Sequence, residues 1–234
     1  MLAIFKREFG AYFSSPIGYV FIAVYLFFSG AFFYIFALSM GSTDLSYVFL
    51  GMFFVLMIFI PVLTMRLMSE DNRQKTDQLT LTAPISLFRL VMGKFLSAFA
   101  IFLISTSVLL VYAIVLSCFS TIAWSMVWGN IVGIILLGAV FIAAGLFIST
   151  LTENQMIAAV GSMAVNVALL LLDSLASVIP IQFISDILSS VSVFSRFSEI
   201  TTGIFSLSNV LFFVSVAVIF LFLTVRVLEK RRWS

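Results

Sequence analysis

The sequence predicts an all-α membrane protein with six transmembrane helices. Of its 234 residues, 63% are hydrophobic and only 9% are charged, which is too little charge to cover the surface of a soluble domain of this length. The apolar residues form long runs, and about 20 apolar residues are needed for one helix to cross a bilayer core. Because no water reaches such a run, its backbone must form its own hydrogen bonds, as a helix does.

The long apolar runs place the six spans within a single transmembrane domain over residues 1–234. We predict them at 17–38, 46–67, 92–117, 129–151, 156–178 and 208–228. Pro16 suits the start of the first span, and Pro61 is expected to kink the second near its carboxyl-terminal, cytoplasmic end. The polar turn at 41–44 separates the first two spans, and residues 152–155 form a tight turn between the fourth and fifth.

The positions of the basic residues predict the orientation. With six spans, 11 of the 12 lysines and arginines fall on one side of the membrane, and only Arg196 falls on the other. Basic residues are concentrated in cytoplasmic segments. We therefore expect a multi-pass protein of the cytoplasmic membrane with both termini inside the cell.

Residues 1–15 are predicted to form an amphipathic helix in the membrane interface. Leu2, Phe5, Phe9, Tyr12 and Phe13 share one face at helical spacing. Lys6, Arg7 and Glu8 occupy the opposite face and its flanks. A helix with this pattern lies along the membrane surface, and Pro16 separates it from the first span.

Residues 69–84 link the second and third spans, and their first part, 69–78, is the only strongly hydrophilic stretch of the chain. We expect a short cytoplasmic helix over 70–81 that docks on a soluble partner, the alternative being a solvated loop. Two leucines would anchor this contact, while charged and polar residues would set its register. The expected contact residues are Glu70, Asp71, Arg73, Thr76, Asp77, Gln78, Leu79 and Leu81.

The external link, at 179–207, is too apolar for a free loop, and its apolar residues recur at helical spacing. It is predicted to form short helices that cap the bundle or dip into the outer leaflet.

Small residues indicate where the spans pack closely, either within the chain or between subunits. The packing candidates are Gly129, Gly133, Gly138 and Gly145.

Several chemistries are disfavoured by composition. The chain has no histidine and only one cysteine, so neither an intrachain disulfide nor a histidine-based metal or acid–base site is available. Gly93 and Lys94 lack the other residues of a phosphate-binding loop. A net charge of +2 is too small to indicate nucleic-acid binding. We expect no enzyme activity and no cofactor in this chain.

Several stretches along nearly the whole chain resemble the permeases of ABC-2-type transporters, in particular the gliding-motility (GldF-like) branch. The similar stretches are FKRE at 5–8, YFSSPIGY at 12–19, PVLTMRL at 61–67, TAPI at 82–85, GK at 93–94, FSEITTG at 197–203 and LEKRRW at 228–233, with Glu70, Thr76 and Leu79. In the coupling segment, this family usually has Gly-Thr followed two residues later by Glu. Here Lys75, Thr76 and Gln78 stand at those positions, so Asp77, or Glu70 with Asp71, would take the acidic role.

The resemblance implies the permease subunit of an ATP-driven exporter, paired with a second permease and with separate ATPase subunits that bind ATP and magnesium. Membrane lipid and an auxiliary membrane protein are further candidate partners. Two alternatives stay open: a secondary transporter or channel that acts alone, and a membrane anchor of a motility or secretion assembly.

Overall fold

The computed structural model describes residues 1–75, 86–178, 192–203 and 206–233, and its regular structure in these ranges is helical throughout. Six helical stretches are long and apolar enough to cross a membrane: Pro16–Ser39, Ser46–Gln74, Leu87–Ser117, Trp124–Leu151, Gln155–Leu172 and Leu207–Arg232. The prediction of an all-helical protein with six candidate spans is thus confirmed.

We label the α-helices in chain order. They are α1 (Leu2–Ser14), α2 (Pro16–Phe32), α3 (Ser46–Thr64), α4 (Arg66–Gln74), α5 (Leu87–Ser117), α6 (Trp124–Leu151), α7 (Gln155–Val178), α8 (Val193–Thr201) and α9 (Leu207–Trp233). A π-helical stretch, Phe33–Ser39, extends α2. We call the end of the bundle that holds α1, α4 and the carboxyl end of α9 the basic end, and the other the opposite end.

Helix α6 is the centre of the bundle. Of its most apolar stretch, 67% is buried, against 17% for α7 and α9. It packs against α3, α4, α5, α7, α8 and α9. Two of its glycines explain how neighbouring helices approach so closely: a Cβ at Gly138 would lie 2.2 Å from the Phe102 ring, and one at Gly145 would lie 2.1 Å from Thr64 Oγ1.

The second span contains a proline and a short interruption, and neighbouring helices bond the backbone groups there. Pro61 has no N–H, so the Met57 carbonyl four residues earlier loses its helical partner. The Asn166 side-chain amide of α7 donates to that carbonyl at 3.2 Å. At the interruption, Ser149 Oγ of α6 accepts from the Met68 and Ser69 amides and donates to the Met65 carbonyl, each at 3.0 Å.

Several helix ends differ from the sequence prediction. Helix α5 begins at Leu87 and α9 continues to Trp233, about one turn beyond the predicted spans, because hydropathy marks only the apolar part of a helix. Helix α4 ends at Gln74, and Lys75 adopts a left-handed conformation with φ 55°, which is a common helix stop. The expected single helix over 70–81 is therefore wrong at Lys75. Residues 76–85 lie outside the described residues.

The external link is described only in part. Residues 179–191 and 204–205 lie outside the described residues, whereas α8 and its N-cap are described. The Ser192 hydroxyl accepts from the Ser195 amide at 3.2 Å and caps this helix. Val193, Phe197 and Ile200 are buried against the bundle. This part of the link is thus a packed helix rather than a free loop.

Candidate functional site

A buried lysine joins three helices at the basic end. Lys94, in the second turn of α5, is only 1% exposed. Its Nζ lies 3.1 Å from Glu8 Oε1 of α1 and 2.7 Å from Asp71 Oδ2 of α4. It also donates to the Leu67 carbonyl of α4. An ammonium group has three N–H bonds, so each of the three finds an acceptor.

Arg7 completes the charge balance around this lysine. Its guanidinium lies 2.6 Å from Glu8 Oε1 and 4.0 Å from Asp71 Oδ2. Hydrogen bonding to Glu8 raises the pKa of Arg7 more than partial burial lowers it, and the charges of Glu8 and Asp71 raise it further. Arg7, Glu8, Asp71 and Lys94, which we call the charged cluster, therefore contain two positive and two negative charges.

A second set of contacts fastens the carboxyl end of α1 to the junction between α3 and α4. The Tyr12 hydroxyl donates to the Leu63 carbonyl at 2.8 Å, and Tyr12 is 1% exposed. Arg66 lies above the Tyr12 ring, donates to Ser15 Oγ at 2.5 Å and pairs with Glu70 at 3.2 Å. These contacts attach α1 to α3 and α4, in addition to its link to α5 through Lys94.

The charged cluster opens into a polar cleft of about 260 Å³. Its walls come from α1, α4 and the start of α5: Arg7, Glu8, Ala11, Arg66, Glu70, Asp71, Gln74 and Lys94. Of the predicted site residues, the structure thus brings Arg7, Glu8, Glu70 and Asp71 together. Lys6 and Arg73 are exposed outside it, whereas Thr76, Asp77, Gln78, Leu79 and Leu81 lie outside the described residues.

The apolar residues of the predicted interfacial helix form a continuous ridge. The rings of Phe5 and Phe9 stack at 5.6 Å between centroids, and Phe9 contacts Phe13 edge-on at 5.1 Å. Phe5 and Phe9 are half-buried, and Leu2 at the start of the ridge is 82% exposed. The ridge is thus separate from the charged side of α1, which holds Arg7 and Glu8.

The four predicted packing glycines differ in their surroundings. Gly138 and Gly145 face Phe102 and Thr64, as described above. A Cβ at Gly133 would lie 2.8 Å from Ile200 Cγ2 of α8, whereas nothing lies within 4 Å of one at Gly129. Close packing of α6 on α8 therefore involves Gly133 but not Gly129.

Lys94 was not predicted from the sequence to contact Glu8 and Asp71 at the centre of the site. The available signal was its setting, since Lys94 follows Val91, Met92 and Gly93 and precedes Phe95. An ionisable residue inside an apolar helix calls for a partner. Asn166 is a second such residue, since its amide group bonds the Met57 carbonyl left without a helical partner by Pro61.

The arrangement connects three helices through buried charges and is suited to transmitting movement between them. Moving α4 away from α5 would leave a buried ammonium with incomplete partners, and breaking a buried pair costs about 3–5 kcal/mol. Helices α1, α4 and α5 are therefore expected to move as one unit. Within the described ranges, no group of three or more His, Cys, Asp or Glu side chains could hold a metal ion.

The six apolar helices and the all-helical fold define the class of this chain as a multi-pass membrane protein. Compared with known proteins, it matches no family model and no curated sequence. A more specific assignment must therefore come from the arrangement of its own residues.

Proposed function

We propose that the chain is the membrane-spanning permease subunit of an ATP-binding-cassette exporter. The observation that carries the proposal is the buried contact of Lys94 with Glu8 and Asp71. It ties the helix before the first span and the last helix of the second span, α4, to the base of the third. A permease that receives its energy from a separate ATPase needs such a rigid connection between its cytoplasmic surface and its bundle.

The proposed orientation places the basic end in the cytoplasm, with both termini inside and α1 in the membrane interface. It is supported by the 11 of 12 basic residues that this arrangement collects on one side. The bacterial cytoplasmic membrane is the proposed location. In this arrangement α4 faces the cytoplasm next to the charged cluster.

In the proposed mechanism, ATP and magnesium bind to the partner ATPase subunits and not to this chain. Closure of the ATPases would push on the segment after α4, and the charged cluster would pass that displacement to α1 and α5. Two permease subunits, identical or related, would then rock to open a path between them. The least buried spans, α7 and α9, offer the surface for such pairing.

The test is purification of the tagged chain from membranes of its native host in mild detergent. The proposal expects a stoichiometric P-loop ATPase in the complex. Leu79→Asp should release it by placing a charge in the apolar contact. Lys94→Met should keep it bound but reduce the response of its ATP hydrolysis to the permease.

Arg226→Met is the matched control, because this arginine is also at the basic end but is 62% exposed and, among the described residues, contacts only Glu229 and the Phe222 ring of its own helix. It should change neither association nor hydrolysis. A stoichiometrically pure chain without any ATPase, in membranes where its cellular role persists, would refute the proposal. Full ATPase retention by Leu79→Asp would instead move the docking contact away from 76–85.

A further inference from the structure

A cavity of about 270 Å³ lies at the opposite end of the bundle, remote from the charged cluster. It is formed by the loop before α3 and by the start of α6. Its lining residues are Thr43, Asp44, Leu45, Ala123, Met126, Val127 and Asn130. Leu45, Met126 and Val127 give it an apolar wall, and Thr43, Asp44 and Asn130 supply its polar groups.

Asn130 is an unusual residue in this cavity. It is 1% exposed, and its Oδ1 is buried without a hydrogen-bond partner among the described residues. A buried unpaired polar atom destabilises a fold. The oxygen of Asn166 is also unpaired, but its amide group bonds the Met57 carbonyl. No described contact of that kind accounts for the Asn130 side chain.

Among the described residues, Asp44 is the only charged one that lines the cavity. Its Oδ1 accepts from the Ser46 amide at 2.8 Å, a contact that fixes the carboxylate at the start of α3. That bond uses one oxygen and leaves Oδ2 for another donor. The cavity therefore offers two acceptors, a carboxylate and an amide oxygen, with a net negative charge.

We propose that this cavity binds a small primary ammonium group. The ammonium would donate to Asp44 and Asn130, and the short chain attached to it would lie against Leu45, Met126 and Val127. A primary ammonium has three N–H donors and a positive charge, whereas a quaternary ammonium has the charge without a donor. The cavity is smaller than sites for drug-sized ligands, which fits a ligand of a few non-hydrogen atoms.

This chemistry has two sources, a free amine or the ethanolamine headgroup of a phospholipid, and the test separates them. The first arm adds ethanolamine to the purified full chain in nonionic detergent and follows thermal unfolding by tryptophan fluorescence. Choline, neutral N-acetylethanolamine and calcium chloride are the controls. The second arm compares the chain in nanodiscs of phosphatidylethanolamine with nanodiscs of phosphatidylcholine or phosphatidylglycerol.

Two variants probe the two acceptors. Asp44→Asn keeps an oxygen that can accept from the Ser46 amide but removes the charge, and it should weaken ethanolamine binding at least about tenfold. Asn130→Leu should abolish the response to the amine. In the ligand-free protein it should raise the melting temperature by about 2–4 °C, because it removes an unpaired buried polar atom. A mere structural role for Asn130 would not produce both effects.

Glu199→Gln is the matched control. Glu199 also lies at the opposite end of the bundle, but it does not line the cavity and instead accepts a hydrogen bond from the Asn209 side chain. It should leave the ethanolamine response unchanged. Stabilisation by free ethanolamine supports a soluble ligand, and stabilisation only by phosphatidylethanolamine supports a lipid headgroup. Three results would overturn the proposal. They are an equal response to choline or calcium, no response in either arm, and a response retained in both cavity variants. None of these outcomes depends on whether an ATPase binds the basic end.

Discussion

Replacing Lys94 by methionine tests the charged cluster most directly. The change keeps the length of the side chain but removes the charge that lies 2.7 Å from Asp71 and 3.1 Å from Glu8. These carboxylates are only 21% and 13% exposed, and Arg7 is the remaining cation. Loss of one partner from a buried pair costs about 3–5 kcal/mol. Water at the polar cleft favours the lower part of this range, so we expect about 3 kcal/mol.

A second substitution, Glu8→Gln, makes this prediction specific, because it should raise the free energy of unfolding of the Lys94→Met variant rather than lower it. Lys94→Met leaves one positive and two negative charges in the cluster, and adding Glu8→Gln restores neutrality. The double variant should therefore be about 1–2 kcal/mol more stable than Lys94→Met alone, within the usual range of coupling energies for contacting residues. Arg226→Met, which removes an exposed pair, should cost no more than about 1 kcal/mol.

The free energy of unfolding can be measured by titrating the purified protein in mild-detergent micelles with sodium dodecyl sulfate, with tryptophan fluorescence as the signal. The comparison requires titrations of five proteins. They are the parent, Lys94→Met, Glu8→Gln, the double variant and the Arg226→Met control. If Lys94→Met lies within about 1 kcal/mol of the parent, or if the two cluster substitutions are additive, then the cluster does not hold α1, α4 and α5 together.

Three further predictions concern packing and protonation, each followed by the same unfolding measurement. Asn166→Leu should cost about 1 kcal/mol in the parent but be neutral or stabilising beside Pro61→Ala, which restores the missing N–H; equal costs in both backgrounds would contradict the assigned bond. Gly145→Ala should cost about 1–3 kcal/mol because its Cβ would meet Thr64, whereas Gly129→Ala, in open space, should be neutral or gain up to about 1 kcal/mol of helix propensity. Burial raises the pKa of Tyr12 above its usual 10.0, so unfolding releases a proton above about pH 10 and stability falls as the pH rises there. Tyr12→Phe should lower that pH dependence and cost about 1 kcal/mol at neutral pH; an unchanged alkaline slope would argue against a buried Tyr12 hydroxyl.

The spans were predictable because lipid imposes one simple requirement on each of them. A run such as 129–151 must be apolar and helical whatever its neighbours are, so composition alone locates it. Helix ends were less predictable. Trp124 and Leu87 begin their helices outside the apolar runs, where backbone hydrogen bonding rather than hydropathy determines the boundary.

Contacts between distant residues were not predictable from spacing. The Lys94 ammonium is 86 residues from Glu8, and no local pattern associates them. The charges of Arg7, Glu8 and Asp71 were visible in the sequence, yet their joining around Lys94 depends on how α1 folds back onto α5. The role of Asn130 was even less predictable. Its side-chain oxygen is noteworthy because it is buried without a described partner, in a cavity formed by two separate segments.

The bond from Asn166 to the Met57 carbonyl has a consequence for biogenesis. The two residues are 109 positions apart, so the ribosome makes the fifth span long after the second. Until then, the carbonyl exposed by Pro61 lacks its final protein donor in a medium where unpaired backbone groups are costly. Span two should therefore remain next to the insertion machinery, or near water, until span five arrives. Nascent chains halted between these two spans should stay crosslinkable to that machinery, and Pro61→Ala should release them earlier.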